Sequence, residues 1–236
     1  MQRHEISGLD ALSTTTPELT ASGGYIYNAR MRIDPKKLPM TAEYLQNLPA
    51  GLSSHPDARL NAEVLDPMRR RFPELGSNPA LPAAAAEAFK TRGSGVWISE
   101  VAGNALYLAC RELSFPSDEA FLRWSYDATT ELFQKPIYRV AMFVLSPTLV
   151  VLGAQRRWSS FHTGSSLSAT SATRQGSRTA TNAVLAYPHG LFPRLMIEFN
   201  ARAFKAAVDA ASGKGSKASV EAYAATRAEI LVSWDA

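Results

Sequence analysis

The sequence predicts an α+β fold, with helices packed on a small four-stranded antiparallel sheet. Three observations carry this. Residues 117–133 place Phe121, Trp124, Ala128 and Leu132 at the three-to-four spacing of one buried helical face. After His162 the hydrophobic period changes, and Ser165, Leu167, Ala169 and Ser171 alternate with their neighbours as in a strand. The chain then returns to a helical stripe over 192–211 and ends in a hairpin, 218–223 and 228–234, with Ile230, Val232 and Trp234 on one face.

Taken in order, residues 1–35 form an N-terminal arm that has room for one short strand at 25–33, where Asp34 and Pro35 stop it. Residues 36–236 form a single α+β domain. Helices are expected at 58–72 and 80–91, the second rich in alanine and closed by Arg92, Gly93, Ser94 and Gly95. Residues 96–113 are apolar at helical spacing. Ser117 is the N-cap of helix 117–133, and Asp118 and Glu119 suit its positive end. Another helix is expected at 137–145. Ser146 followed by Pro147 reads as an N-cap and first helical position, so a new helix covers 147–160. Strands at 165–171 and 179–187 flank a turn at Arg174, Gln175, Gly176 and Ser177. The C-terminal unit is therefore strand–strand–helix–strand–strand. On the helix 192–211, Leu195, Phe199, Ala203 and Val208 share the expected core stripe.

Bulk properties narrow the function. The chain has 236 residues, 46% of them apolar and 19% charged, which is ordinary globular composition. The net charge is +4 and the only tight basic run is Arg69, Arg70 and Arg71, which argues against a nucleic-acid partner. The longest apolar stretch, 140–153, is interrupted by Ser146 and Pro147 and falls short of a membrane span. The first residues, Met1 to Glu5, lack the apolar core of a signal peptide, so a cytoplasmic protein is expected. The single cysteine, Cys110, excludes an internal disulfide, and no metal-ligand cluster is expected. Phosphate-loop, zinc-protease and nucleophile-elbow motifs are absent.

The most distinctive stretch is Arg156, Arg157, Trp158, Ser159, Ser160, Phe161, His162, Thr163 and Gly164, at the helix-to-sheet junction. Two arginines complement the negative end of a helix. A guanidinium there can grip a carboxylate, and a tryptophan can pack on an apolar ligand body. The competing structural reading is a core tryptophan, solvated arginines and a histidine that satisfies a local backbone carbonyl.

Residues 117–132, then Pro136-Ile137-Tyr138-Arg139, Leu145-Ser146-Pro147, Arg157-Trp158, Phe161-His162-Thr163-Gly164 and Val232-Ser233-Trp234, together resemble an uncharacterised, myxobacterial-type bacterial protein family. That family is similar to the superfamily of haem–nitric-oxide-binding, 4-vinyl-reductase-type and Golgi-transport tethering domains. The resemblance covers about residues 96–236. It implies a hydrophobic cavity between helices and a four-stranded sheet, and a role in binding ligands or partners. The Tyr-x-Ser-x-Arg haem-propionate motif and the cysteine-rich metal pattern of some relatives are absent here, so the cofactor is unknown and haem has no motif to support it.

The leading expectation is a non-enzymatic sensory or regulatory module that binds an apolar small molecule. Its candidate ligand-binding residues are Tyr138, Phe143, Arg157, Trp158, His162 and Leu195. The alternative is a protein-interaction or adaptor subunit, acting as a homodimer or on a partner protein. The third is an enzyme using His162 or His189 as acid or base.

Overall fold

The structure, a computed structural model, describes residues 33–93, 95–134 and 145–236. Its helices are α1 (Pro39–Gln46), α2 (Asp66–Arg71), α3 (Ala83–Lys90), α4 (Glu100–Ser114), α5 (Asp118–Gln134), α6 (Pro147–Trp158) and α7 (Arg194–Ala210). The strands are β1 (Arg59–Asn61), β2 (Trp97–Ser99), β3 (Ser166–Ala169), β4 (Thr173–Gln175), β5 (Arg178–Ala186), β6 (Lys217–Ala224) and β7 (Arg227–Asp235). The fold is α+β, as the sequence predicts. The expected strand at 25–33 and helix at 137–145 lie outside the described residues but for Ile33 and Leu145.

The principal sheet is antiparallel, in the order β3-β5-β7-β6, with β4 also pairing with β5. The expected strand 165–171 is the shorter β3, and β4 takes up part of the expected turn at 174–177, so five strands stand where four were expected. The chain leaves β5 after Ala169↔Ala183 and rejoins it at Thr173↔Ala180. The detour is stapled by Thr170, whose N–H and hydroxyl oxygen bond to Asn182 across the gap. The turn accordingly narrows to Gly176 and Ser177, and Gly176 takes the left-handed conformation it requires (φ 61°).

One sheet face is the core. Leu167, Thr181, Ala183, Leu185, Ala228, Ile230, Val232 and Trp234 are all buried on it. Register explains this, because Leu167 opposes Leu185, and Ala183 and Leu185 oppose Ile230 and Ala228. Helix α6 covers β3, α7 covers β6 and β7, and α5 backs α7. The buried stripe of α7 is Ile197, Ala201, Phe204 and Val208. Expected core positions Phe199 and Ala203 are only half-buried, because α7 contacts α5 on one flank and the sheet on the other, which rotates its apolar face.

The N-terminal half departs more from expectation. Residues 58–72 are not one helix: β1, a 3-10 turn at Ala62–Leu65 and the short α2 replace it. Residues 97–99, expected to open a helix, form β2 and pair with β1 through Leu60↔Ile98. These strands are three residues long and exist because each has a distant partner, which overrides local helical propensity. Helix α4 runs through the middle of this half and is buried from Glu100 through Cys110.

Helix ends are closed by side chains from other elements. Ser146 caps α6 as expected, accepting the Leu149 N–H. Helix α1 has no cap of its own; Glu112 of α4 accepts the Met40 and Thr41 N–H groups instead. Helix α3 ends at Thr91 in an extended conformation, and not on a left-handed glycine. Its last carbonyls are taken by Arg69, whose guanidinium donates to Ala88, Phe89 and Thr91, and also to Ala62 and Asp66. Arg69 is only 6% exposed, so the basic run seen in the sequence contributes a buried structural cation.

Candidate functional site

Helix α6 ends where the Phe161 and His162 N–H groups both return to the Trp158 carbonyl, each at 2.9 Å. This tight turn swings the chain back, so that residues 161–163 run beside β1. Thr163 and Arg59 exchange backbone hydrogen bonds, and the Asn61 N–H donates to the Phe161 carbonyl at 2.8 Å. The Thr163 hydroxyl donates to the Asp57 carbonyl at 2.7 Å. The junction is thus a seam between the two halves of the molecule. Gly164 is required there: its φ is 69°, and a Cβ would lie 2.8 Å from the Ala58 Cα.

Inside the seam, His162 stacks face to face on Trp158, with ring centroids 3.9 Å apart and planes 12° from parallel. The His162 Nδ1 lies 2.9 Å from the Glu100 carboxylate. Glu100 is the first residue of α4, whose N-cap Ser99 accepts the Ala102 N–H. The positive end of the helix favours an anion at this place. Glu100 is 1% exposed, and a carboxylate so buried needs a donor. His162 supplies it. The Trp158 indole N–H in turn donates to the Ser165 hydroxyl at 3.1 Å. A continuous chain therefore runs from Glu100 through His162 and Trp158 to Ser165.

Polar groups fill the space behind this chain. The Tyr44 hydroxyl and the Asn104 amide both donate to the Leu191 carbonyl, at 2.7 and 2.9 Å. The Tyr223 hydroxyl donates to the Phe192 carbonyl at 3.0 Å, and Tyr187 to that of Ala224 at 3.0 Å. Burial pushes the Tyr44 and Tyr187 phenols well above the ordinary tyrosine value, so both stay neutral donors. Phe192 packs edge-on against Tyr187 at 5.2 Å and against His162 at 6.2 Å.

In front of the chain, an open groove of about 430 Å³ lies between the start of β3 and the end of β5. Gly164, Ser165, Ser166, Ala186, Tyr187 and Pro188 line it. It sits at the strand ends, and no residue of α6 is among its lining.

Of the residues singled out from the sequence, the structure brings together Trp158 and His162. The histidine answers a buried carboxylate and not the local backbone carbonyl of the structural reading. Arg157 is exposed on the last turn of α6. Leu195 is buried in the core on the first turn of α7. His189 is exposed, and its carbonyl is 3.0 Å from the His55 Nε2. Tyr138 and Phe143 lie outside the described residues. Sequence reasoning missed Glu100 and Ser165. Glu100 had one faint signal, a lone carboxylate directly after a serine cap and before a long apolar helix.

Among the described residues, no three histidine, cysteine, aspartate or glutamate side chains are placed to hold a metal. No helix among them is long and apolar enough to cross a membrane. Cys110 is buried and unpaired, and burial pushes its thiol up to about 12. No protein-family model matches the chain, and neither a curated protein nor a solved structure matches it.

Proposed function

We propose that the protein is a non-enzymatic small-molecule-binding module, regulatory in role and cytoplasmic, whose ligand sits in the groove between β3 and β5. The observation that carries this is the groove backed by a preorganised chain. The groove is shallow and open, about 430 Å³ in volume, so a ligand would lie against its wall and not be enclosed. The Ser165 side chain at its wall is held by Trp158, and Trp158 by His162 and Glu100. Such support fixes a binding group without making it reactive. A catalytic role for His162 finds less support, because a general base must reach its substrate and His162 is not among the groove's lining residues. With the extra strand β4 set aside, the order of strands about α7 matches the strand–strand–helix–strand–strand unit expected from the resemblance, which favours kinship with that ligand-binding superfamily.

Filling the groove tests the proposal. Ser166 is exposed and lines it, so Ser166→Trp occupies the space without touching the core. Native mass spectrometry of the purified protein is expected to show a retained small molecule that the variant lacks. Equal retention by both proteins would move the site elsewhere.

A second reading, a protein-interaction subunit or homodimer, is favoured by one observation. β6 is the strand at one edge of the sheet and most of its residues are exposed, leaving an edge available for pairing. A strict monomer in sedimentation would remove the homodimer.

A further inference from the structure

We infer that Ser165 is the hydrogen-bond donor of the groove, and that the ligand presents it with an uncharged carbonyl oxygen. This rests on the binding role proposed above and names the chemistry of that same site. A serine hydroxyl has one donor and two acceptor positions. The Trp158 indole can only donate, so the 3.1 Å contact occupies a lone pair of the Ser165 oxygen. The Ser165 O–H is then left to find an acceptor, and none lies among the described residues. Ser165 is half-buried and lines the groove. Trp158 is itself clamped against His162, and His162 against Glu100, so the lone pair that accepts the indole N–H is held in place. An acceptor oxygen in the groove would complete a chain from indole N–H to Ser165 O–H to ligand, in which each bond polarises the next.

The remaining wall sets the ligand's charge. Gly164, Ser166, Ala186, Tyr187 and Pro188 carry no ionised side chain. With no cation on the wall a carboxylate gains no ionic partner there, whereas a ketone, amide or ester oxygen needs only the one donor. The small and apolar residues on either side suit an apolar body attached to that oxygen.

The test uses three aromatic probes of similar size, acetophenone, benzoate and toluene, with the ¹⁵N-labelled full chain. The chain has four tryptophans, so four indole N–H signals are resolvable, and the spectrum of Trp158→Phe assigns the one that matters. Acetophenone is expected to shift the backbone amides of Ser165, Ser166 and Ala186 and to move the Trp158 indole proton downfield. Toluene is expected to shift the amides and leave the indole proton in place. Benzoate is expected to bind more weakly than acetophenone. Ser165→Ala should weaken acetophenone about fivefold and leave toluene unchanged, while Ser165→Thr, which keeps the hydroxyl, should bind as the wild type does. If acetophenone shifts the groove amides but the indole proton stays still, or Ser165→Ala binds it equally, the donor role falls and the binding site stands. Tighter binding of benzoate overturns the uncharged class. If no probe moves a groove amide, both the inference and the binding proposal fall. The indole comparison needs only wild-type protein for its readout, so an unstable Ser165→Ala does not spare the idea.

Discussion

Two regions bury an ion, and they treat it differently. At the end of α3, the Arg69 guanidinium makes five hydrogen bonds, four to backbone carbonyls and one to Asp66. Guanidinium has five N–H donors, so this cation is fully satisfied and has nothing left to offer. At the seam, the Glu100 carboxylate meets one ring nitrogen of His162, and the chain that begins there ends on a Ser165 hydroxyl facing a groove. Complete satisfaction marks a structural device. A chain that ends with a spare donor at an opening is what the binding proposal rests on. Arg69 was the more conspicuous in sequence, as part of the only basic run, and it proves to be a helix cap.

Removing the saturated ion should have the larger cost. Arg69→Met deletes the cation and takes the guanidinium donor from the Ala62, Ala88 and Thr91 carbonyls, leaving that of Phe89 to Arg92, an expected loss of about 4 kcal/mol. Arg69→Lys should recover little of it, because one ammonium cannot reproduce the planar fork. Urea unfolding midpoints with an unchanged slope would measure both. A lysine variant as stable as the wild type would show that charge, and not saturation, is what matters at this place.

The seam should break more gently and in a graded way. His162→Phe keeps a ring against Trp158 but leaves the Glu100 carboxylate buried without a donor, an expected loss of about 3 kcal/mol. Glu100→Gln keeps an acceptor oxygen for the His162 N–H and should cost about 1 kcal/mol. The same denaturation series ranks them. If the glutamine variant proved the worse of the two, hydrogen bonding through Nδ1 would not be the basis of the pairing.

The two regions also differ in how much of them the sequence reveals. The C-terminal unit is built from local signals. Alternation over Ile230, Val232 and Trp234 sets the core face of β7, and Ser146 with Pro147 sets the start of α6. Trp158 and His162 are four residues apart at a helix end, so their placement at the junction was legible from the residues alone. Their partner was not. Glu100 is 62 positions away, and the helix start that carries it was hidden because β2 was read as part of that helix. A three-residue strand has no period to detect, and β1 and β2 each need the other to exist. Strand β4, which takes residues from the expected turn, was equally hidden, since its place is set by pairing with β5 and by Thr170 bonding across the gap to residues further along the chain.

Cys110 gives a third answer to burial, and it carries the smallest effect at neutral pH. It lies on α4 with Glu100 but has no charged partner, and it remains a neutral thiol. Burial is the main cause of its raised value, about 12 against an ordinary 9.0, with the Ser114 side chain opposing. The unfolded chain therefore loses this proton first as pH rises. Well below pH 9.0 both states hold the proton and the group adds no pH dependence. Between there and about 12 the native state binds more protons than the unfolded one, so stability falls with rising pH. Cys110→Ala removes this term and keeps the buried tyrosines that titrate in the same direction. Plotted against pH, wild-type stability minus that of Cys110→Ala should be flat through neutrality and then decline above about 9. A difference that stayed flat through the alkaline range would mean that the thiol reaches solvent in the native state. Cys110 would then belong with the seam's incompletely satisfied groups and not with the closed core around α4.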